Sequence, residues 1–151
     1  MKRKIIIIDD EPLIPALMKE IIEESKEMEI AAVAGQKDEF MGLVSTGRFD
    51  AALIDISVDG QREGGLNILQ TLKDKEMGIP AIILSAHNET DYALKCLQYG
   101  AKGYVCKNYI CTDLVRALKE VLHGNFFISG SKGPYILNKF KAAKGSIASA
   151  L

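Results

Sequence analysis

A chain of 151 residues, 48% hydrophobic and 26% charged, is long enough for one domain that buries roughly 70% of its unfolded surface. A formal net charge of −1 and a pI near 6.1 argue against nucleic acid or an anionic membrane as the partner of the whole chain. The apolar run Ile5 to Ile8 stops at Asp9, short of the roughly 7–15 residues of a signal-peptide core, and no run reaches transmembrane length.

Lys4 to Ile8 reads as a first strand, broken by Asp9-Asp10-Glu11-Pro12. Leu13 to Lys26 carries Leu17, Met18, Ile21 and Ile22 at helical spacing, and Pro12 and Pro15 fall early enough for a first turn. Ile30 to Ala34 makes a second strand. Lys37 to Thr46 makes a second helix with Phe40, Leu43 and Val44 inward and Gly47 as its cap. The third strand, Ala51-Ala52-Leu53-Ile54, ends at Asp55. A polar loop, Ile56 to Gly64, leads to a helix over Leu66 to Glu76 with Leu66, Leu69 and Leu72 on one face. Ala81 to Leu84 is the fourth strand and ends at Ser85. Glu89 to Tyr99 is the fourth helix, stopped by Gly100. Gly103 to Cys106 is a short fifth strand, followed by Lys107. Thr112-Asp113 is placed to cap a fifth helix with Leu114, Leu118, Val121 and Leu122 inward.

Strand and helix thus alternate five times, which predicts a doubly wound parallel sheet with helices on both faces. Residues 1–124 form that unit. Residues 125–151 lack acids, carry Lys132, Lys139, Lys141 and Lys144, and read as a linker or C-terminal extension. Within them Ile136, Leu137 and Phe140 fit one short amphipathic turn or helix. Cys96, Cys106 and Cys111 are odd in number, without C-x-x-C spacing or a histidine cluster, and read as reduced thiols of a cytoplasmic protein.

The chemistry gathers at strand ends. In open parallel sheets ligands bind in the crevice outside the carboxyl ends of the strands. Asp9, Asp10 and Asp55 would meet there, with Ser85 and Lys107 on the same rim. Clustered carboxylates repel unless a cation lies among them, and a hard divalent ion, Mg²⁺, suits oxygen ligands. Acids, a hydroxyl and an ammonium together suit phosphoryl transfer with an Asp nucleophile.

The pieces Ile-Ile-Asp-Asp-Glu-Pro at 7–12, Ala-Leu-Ile-Asp-Ile-Ser at 52–57, Ile-Leu-Ser-Ala at 83–86 and Gly-Ala-Lys-Gly-Tyr-Val-Cys-Lys at 100–107 carry a resemblance. With the element order they cover about residues 3–124, and the chain resembles the receiver domain of a bacterial two-component response regulator. Gly-Tyr-Val-Cys-Lys and the later Gly-Asn-Phe-Phe-Ile-Ser are similar to the subfamily that carries a C-terminal LuxR/NarL-type helix-turn-helix. The resemblance implies a flavodoxin-like five-stranded sheet of order 2-1-3-4-5. It implies Asp55 as acceptor of a phosphoryl group from a sensor histidine kinase. Asp10 and Asp55 would bind Mg²⁺, Asp9 would do so through water, and the backbone carbonyl of Ser57 would be a further ligand. Ser85 and Lys107 would hold phosphoryl oxygens, Ala86 would leave access, and Tyr104 would be an aromatic switch.

Two departures from the family pattern stand out. Asp59 occupies the position of a usual proline, and Gly65-Leu66 come about two residues late, so the loop beside the metal is remodelled. Asn108 follows Lys107 where many relatives have a cis-proline, and a cis bond to a non-proline costs about 3 kcal/mol.

Taken singly, Asp55 fits a cap, Asp9-Asp10 a turn, Ser85 a strand-end hydroxyl, Tyr104 a core aromatic and His87 an exposed loop residue. Together they favour a phosphorylation switch. The alternatives are a degenerate receiver that acts only through protein contacts, and an Asp-nucleophile phosphatase. Against the latter, the Asp55 to Asp59 spacing is four residues and no cap domain is visible. The chain is expected to be no enzyme beyond its own phosphoryl transfer and dephosphorylation. A sensor kinase, homodimerisation on phosphorylation, and a DNA-binding effector domain outside this chain are the expected partners. Membrane association and specific DNA binding by these residues are not expected.

Overall fold

The computed structural model describes residues 1–87 and 90–150, with side chains described throughout except at 90 and 145–150. In chain order the elements are β1 (Arg3–Ile8), α1 (Leu13–Glu24), β2 (Met28–Ala34), α2 (Lys37–Thr46), β3 (Ala51–Asp55), α3 (Gly64–Asp74), β4 (Ala81–Ser85), α4 (Thr90–Gln98), β5 (Gly103–Cys106), α5 (Ile110–Leu122), β6 (Phe127–Ile128) and α6 (Gly133–Ala150). Single 3₁₀ turns lie at Val58–Gly60 and Lys107–Tyr109.

All strand pairs are parallel, in the order β2-β1-β3-β4-β5-β6. The expected doubly wound sheet is present, and its first five strands have the order 2-1-3-4-5. The sixth strand was not foreseen. Phe127 and Ile128 pair with Gly103 and Tyr104. Two residues are too few to show an alternating pattern, so the segment read as a composition shift. Gly124, at φ +87°, supplies the left-handed turn that brings it back to the sheet.

Helix ends differ from the expected ones by small amounts. α3 begins at Gly64 rather than Leu66, and α5 begins at Ile110, ahead of Thr112-Asp113. Asp113 is nevertheless used: its Oδ2 accepts the Gly130 amide at 3.0 Å. The expected start of the fourth helix at Glu89 lies outside the described residues. The short helix expected around Ile136 to Phe140 is part of an 18-residue helix, α6.

Side chains alternate across the sheet, as the two-residue strand period requires. Ile5, Ile7, Leu53, Leu84 and Val105 face α1 and α5, where Met18, Ile22, Leu114 and Leu118 cover them. Ile6, Ile8, Ile54, Ile83 and Tyr104 face the other layer, which includes Phe40, Leu69, Leu97, Ile136 and Phe140. β3 and β4 are buried along their whole length, which explains their unbroken apolar sequences. At β2, the sheet's edge, the burial is uneven and Val33 is exposed. Among the described residues no helix is long and apolar enough to cross a membrane.

One close approach fixes the loop after β3. A Cβ on Gly64 would lie 2.3 Å from the Val58 carbonyl oxygen, and one on Gly65 would lie 2.9 Å from the Asp55 carbonyl oxygen. Neither obstacle is a flexible side chain. Gly64→Ala is therefore expected to destabilise the fold by about 2 kcal/mol, the range of backbone overpacking. A urea midpoint equal to that of the parent protein would contradict this.

Candidate functional site

Four strands deliver the site. β1, β3, β4 and β5 run parallel, so their C-terminal ends share one rim. Asp9-Asp10, Asp55, Ser85 and Lys107 stand there, each at or just past a strand end. The three-carboxylate cluster expected from the sequence is assembled: Asp9, Asp10 and Asp55 each offer an oxygen within 4.8 Å of the others.

Their surroundings differ. Asp9 and Asp55 are buried, at 3% and 2% exposure, whereas Asp10 is exposed. The Asp9 Oδ1 accepts the Glu11 amide at 2.9 Å, a tight local turn. Its Oδ2 is buried with no hydrogen-bond partner. Burial pushes the Asp9 carboxyl up to about 6, and the neighbouring Asp55 and Asp10 push the same way, against the Glu11 amide and Lys107. Asp55 accepts from the Ser57 amide at 3.3 Å and from the Ser57 hydroxyl at 3.3 and 3.4 Å. The hydroxyl contact adds to the carbonyl role expected of Ser57.

Lys107 reaches across from β5. Its Nζ lies 3.4 Å from Asp55 Oδ1 and 3.9 Å from Asp9 Oδ2. Asp10 adds a third carboxylate to the two that Lys107 meets, so among the described residues the cluster keeps an excess of negative charge. An orphaned buried carboxylate oxygen, two further carboxylates and one open side through Asp10 fit a hard divalent cation that retains some water. Among the described residues there is no cis peptide bond, so Lys107–Asn108 is trans.

Ser85 is fully buried, and its Oγ accepts the His87 amide at 3.0 Å. Tyr104 is also buried, and its hydroxyl donates to the His87 carbonyl. Burial pushes its phenol up to about 12, a hydrogen bond with Ser85 working the other way. Ser85 and Tyr104 thus hold one residue, His87, by its backbone amide and its backbone carbonyl. Ala86 and the His87 side chain are exposed beside it, and the His87 ring stands 5.7 Å from that of Tyr92.

The remodelled loop has work of its own. Asp59, at φ +59°, accepts the Lys37 amide at 3.4 Å and so caps α2. Glu63 pairs with Lys95 of α4 at 3.0 Å. Neither contact was visible in the sequence, because each joins residues more than twenty positions apart. Ser129 was missed for the same reason: its Oγ accepts the Cys106 amide at 2.9 Å.

Fold and site together define a flavodoxin-like α/β domain with an acidic, lysine-facing cluster at its sheet rim. A family model described as the response regulator receiver domain matches residues 5–119, and the chain belongs to that family. Receiver domains serve phosphorylation-dependent signalling, and that is the class of work this membership assigns to the chain. The chain is 24% identical over 142 residues to the nitrate/nitrite response regulator protein NarL of Escherichia coli K12, covering 94% of this chain and 65% of that protein. It is 29% identical over 135 residues to the DNA-binding transcriptional activator EvgA of the same organism, covering 89% and 62% respectively. The chain therefore spans less than two thirds of the length of these curated relatives. A LuxR-family two-component response regulator from Aurantimonas superposes with a TM-score of 0.79 at 23% identity, covering 95% of this chain and 99% of that one. A CheY-like receiver domain protein from Methanospirillum hungatei superposes at 0.68 with 25% identity, covering 82% and 96%.

Proposed function

We propose that this chain is a switch that accepts a phosphoryl group on Asp55 from the phosphohistidine of a sensor kinase. The observation that carries the reading is the Asp55 carboxylate itself: buried, at a strand end, beside two further acids and 3.4 Å from Lys107. In the transfer a carboxylate oxygen of Asp55 forms a bond to phosphorus, the phosphorus–nitrogen bond breaks, and the histidine leaves with the electron pair and takes up a proton. Asp9, Asp10, Asp55 and the Ser57 carbonyl are the groups that would hold Mg²⁺. The ion, when bound, neutralises charge shared by the carboxylates and the phosphoryl oxygens. Lys107 supplies a fixed positive charge to the same oxygens. The exposed Ala86 methyl leaves the approach open, and the Ser85 hydroxyl is the group that meets the phosphoryl oxygen from β4.

The catalysis is confined to the chain's own phosphorylation and dephosphorylation, and its setting is the cytoplasm. The output passes to an effector of the kind its relatives' names describe, a DNA-binding activator, and self-association accompanies it. Light scattering with Mg²⁺ and beryllofluoride, a phosphoryl mimic, is expected to show a rise from monomer toward dimer mass. Unchanged mass despite bound beryllofluoride would remove the homodimer. Phosphoryl uptake itself is tested by intact mass after acetyl phosphate with Mg²⁺. An unmodified protein would overturn the switch reading and favour a receiver that acts by protein contact alone.

A further inference from the structure

The segment after α5 does not trail from the domain; it is tied to the strand that leads to Lys107. Two contacts make the tie, and a third fastens the segment to α5. Ser129 donates its amide to the Tyr104 carbonyl at 2.9 Å. The Ser129 Oγ accepts the amide of Cys106, the residue directly before Lys107. Gly130 donates to buried Asp113 of α5 at 3.0 Å. Beyond this knot the chain turns so tightly that a Cβ on Gly133 would lie 1.9 Å from the Ile128 carbonyl oxygen. α6 is thereby held in a fixed relation to β6. Its Ile136 and Phe140 are buried, at 7% and 8% exposure, in the cluster that contains Tyr104 and the α4 residues Ala93 and Leu97.

From this arrangement we infer that β6 and α6 form an output strap, docked in the resting state and released when Asp55 is phosphorylated. The inference rests on phosphoryl uptake at Asp55. The physical route is short. A phosphoryl group adds roughly −1.5 to −2 charges beyond Asp55 and draws in both Lys107 and the Ser85 hydroxyl. Moving Lys107 pulls on the Cys106 amide and its bond to Ser129. Moving Ser85 frees the His87 amide, and the His87 ring stands 5.7 Å from that of Tyr92 on α4. Both supports of α6, the β5 edge and the α4 face, are then disturbed together. By linkage, anything that undocks the strap must in turn strengthen binding at the phosphoryl site.

The test uses the full chain with Mg²⁺ and beryllofluoride, read by amide hydrogen exchange. Amides of Tyr135 to Lys144 are expected to exchange about 5-fold faster or more when beryllofluoride binds, the lower range of ordinary coupling. Ser129→Ala and Phe140→Ala are expected to show that faster exchange without beryllofluoride. Both are also expected to bind it more tightly by a similar factor. Phe140 lies outside the Ser129 knot, so it answers the objection that Ser129→Ala merely loosens β5. Beryllofluoride that leaves amides 55–57 unperturbed would remove the phosphoryl-site reading and this inference with it. Perturbation there beside unchanged or slower exchange in α6 would overturn the strap alone. So would variants that loosen α6 but leave beryllofluoride affinity unaltered.

Discussion

Asp55→Asn is expected to abolish phosphoryl uptake from acetyl phosphate with Mg²⁺, leaving the intact mass unshifted while the parent gains one group. The substitution keeps the shape of the side chain and its contacts with Ser57. What it removes is the nucleophilic oxygen anion and one of the three charges that gather a cation. An amide oxygen is a far weaker nucleophile, and its phosphorylated form has no stable counterpart to an acyl phosphate. Asp9 and Asp10 remain in the variant, so residual uptake would have to be assigned to one of them. Peptide mapping would decide which, and a parent-like shift in Asp55→Asn would end the assignment of Asp55. The variant should keep its fold, because the buried carboxylate is replaced by a group of equal size that needs no counter-charge.

The second large effect belongs to Asp9. Burial pushes its carboxyl up to about 6 from the ordinary 3.8. A raised acid pKa means that the folded state prefers the protonated form. The contribution of Asp9 to folding stability is then fullest below about 3.8 and is lost as pH rises through about 6, where the unfolded chain has already given up its proton. Asp9→Asn removes that loss. It is expected to stabilise the cation-free protein at pH 7 by on the order of 2 kcal/mol, since each tenfold change in proton affinity is worth about 1.4 kcal/mol, and to change little at pH 3. With Mg²⁺ the gain should shrink, since the parent recovers stability by binding a cation that the variant holds poorly. Urea unfolding at the two pH values, with and without Mg²⁺, covers all four conditions. Equal stability of parent and variant at pH 7 without cation would show that burying the Asp9 carboxylate, with Lys107 3.9 Å away, costs the folded state nothing. The location is a finding of the structure. From the sequence, repulsion is shared among three acids, with Asp10 an equal source; in the fold Asp10 is exposed and Asp9 has the orphaned oxygen.

Much of the molecule was legible from the chain alone, and for a local reason. Ile5 to Ile8, Ala51 to Ile54 and Ala81 to Leu84 are uninterrupted apolar runs that only a strand covered on both faces accommodates. Each stops at a polar residue, and parallel pairing puts all those stops on one rim. Asp9, Asp10, Asp55, Ser85 and Lys107 could therefore be brought together from strand order alone. The alternation of strand and helix points to a parallel doubly wound sheet, and the particular order 2-1-3-4-5 came from the resemblance to receiver domains.

What the chain order could not decide depends on contacts between distant residues. Whether Asp9 or Asp10 faces the interior turns on which side of the β1 end is covered. The cover comes from the ends of the neighbouring strands and from Lys107, nearly a hundred positions away. The loop after β3 is set by the approach of Gly64 to Val58, and its Asp59 and Glu63 find Lys37 and Lys95 only in the assembled domain. β6 is two residues long and has no stability as an isolated pattern. It exists because β5 offers an unpaired edge, Ser129 meets the Cys106 amide, and Asp113 meets Gly130. Periodicity and strand-end chemistry belong to the sequence; burial of a particular carboxylate and pairing of a two-residue strand are cooperative, and arise only when the sheet has closed around them.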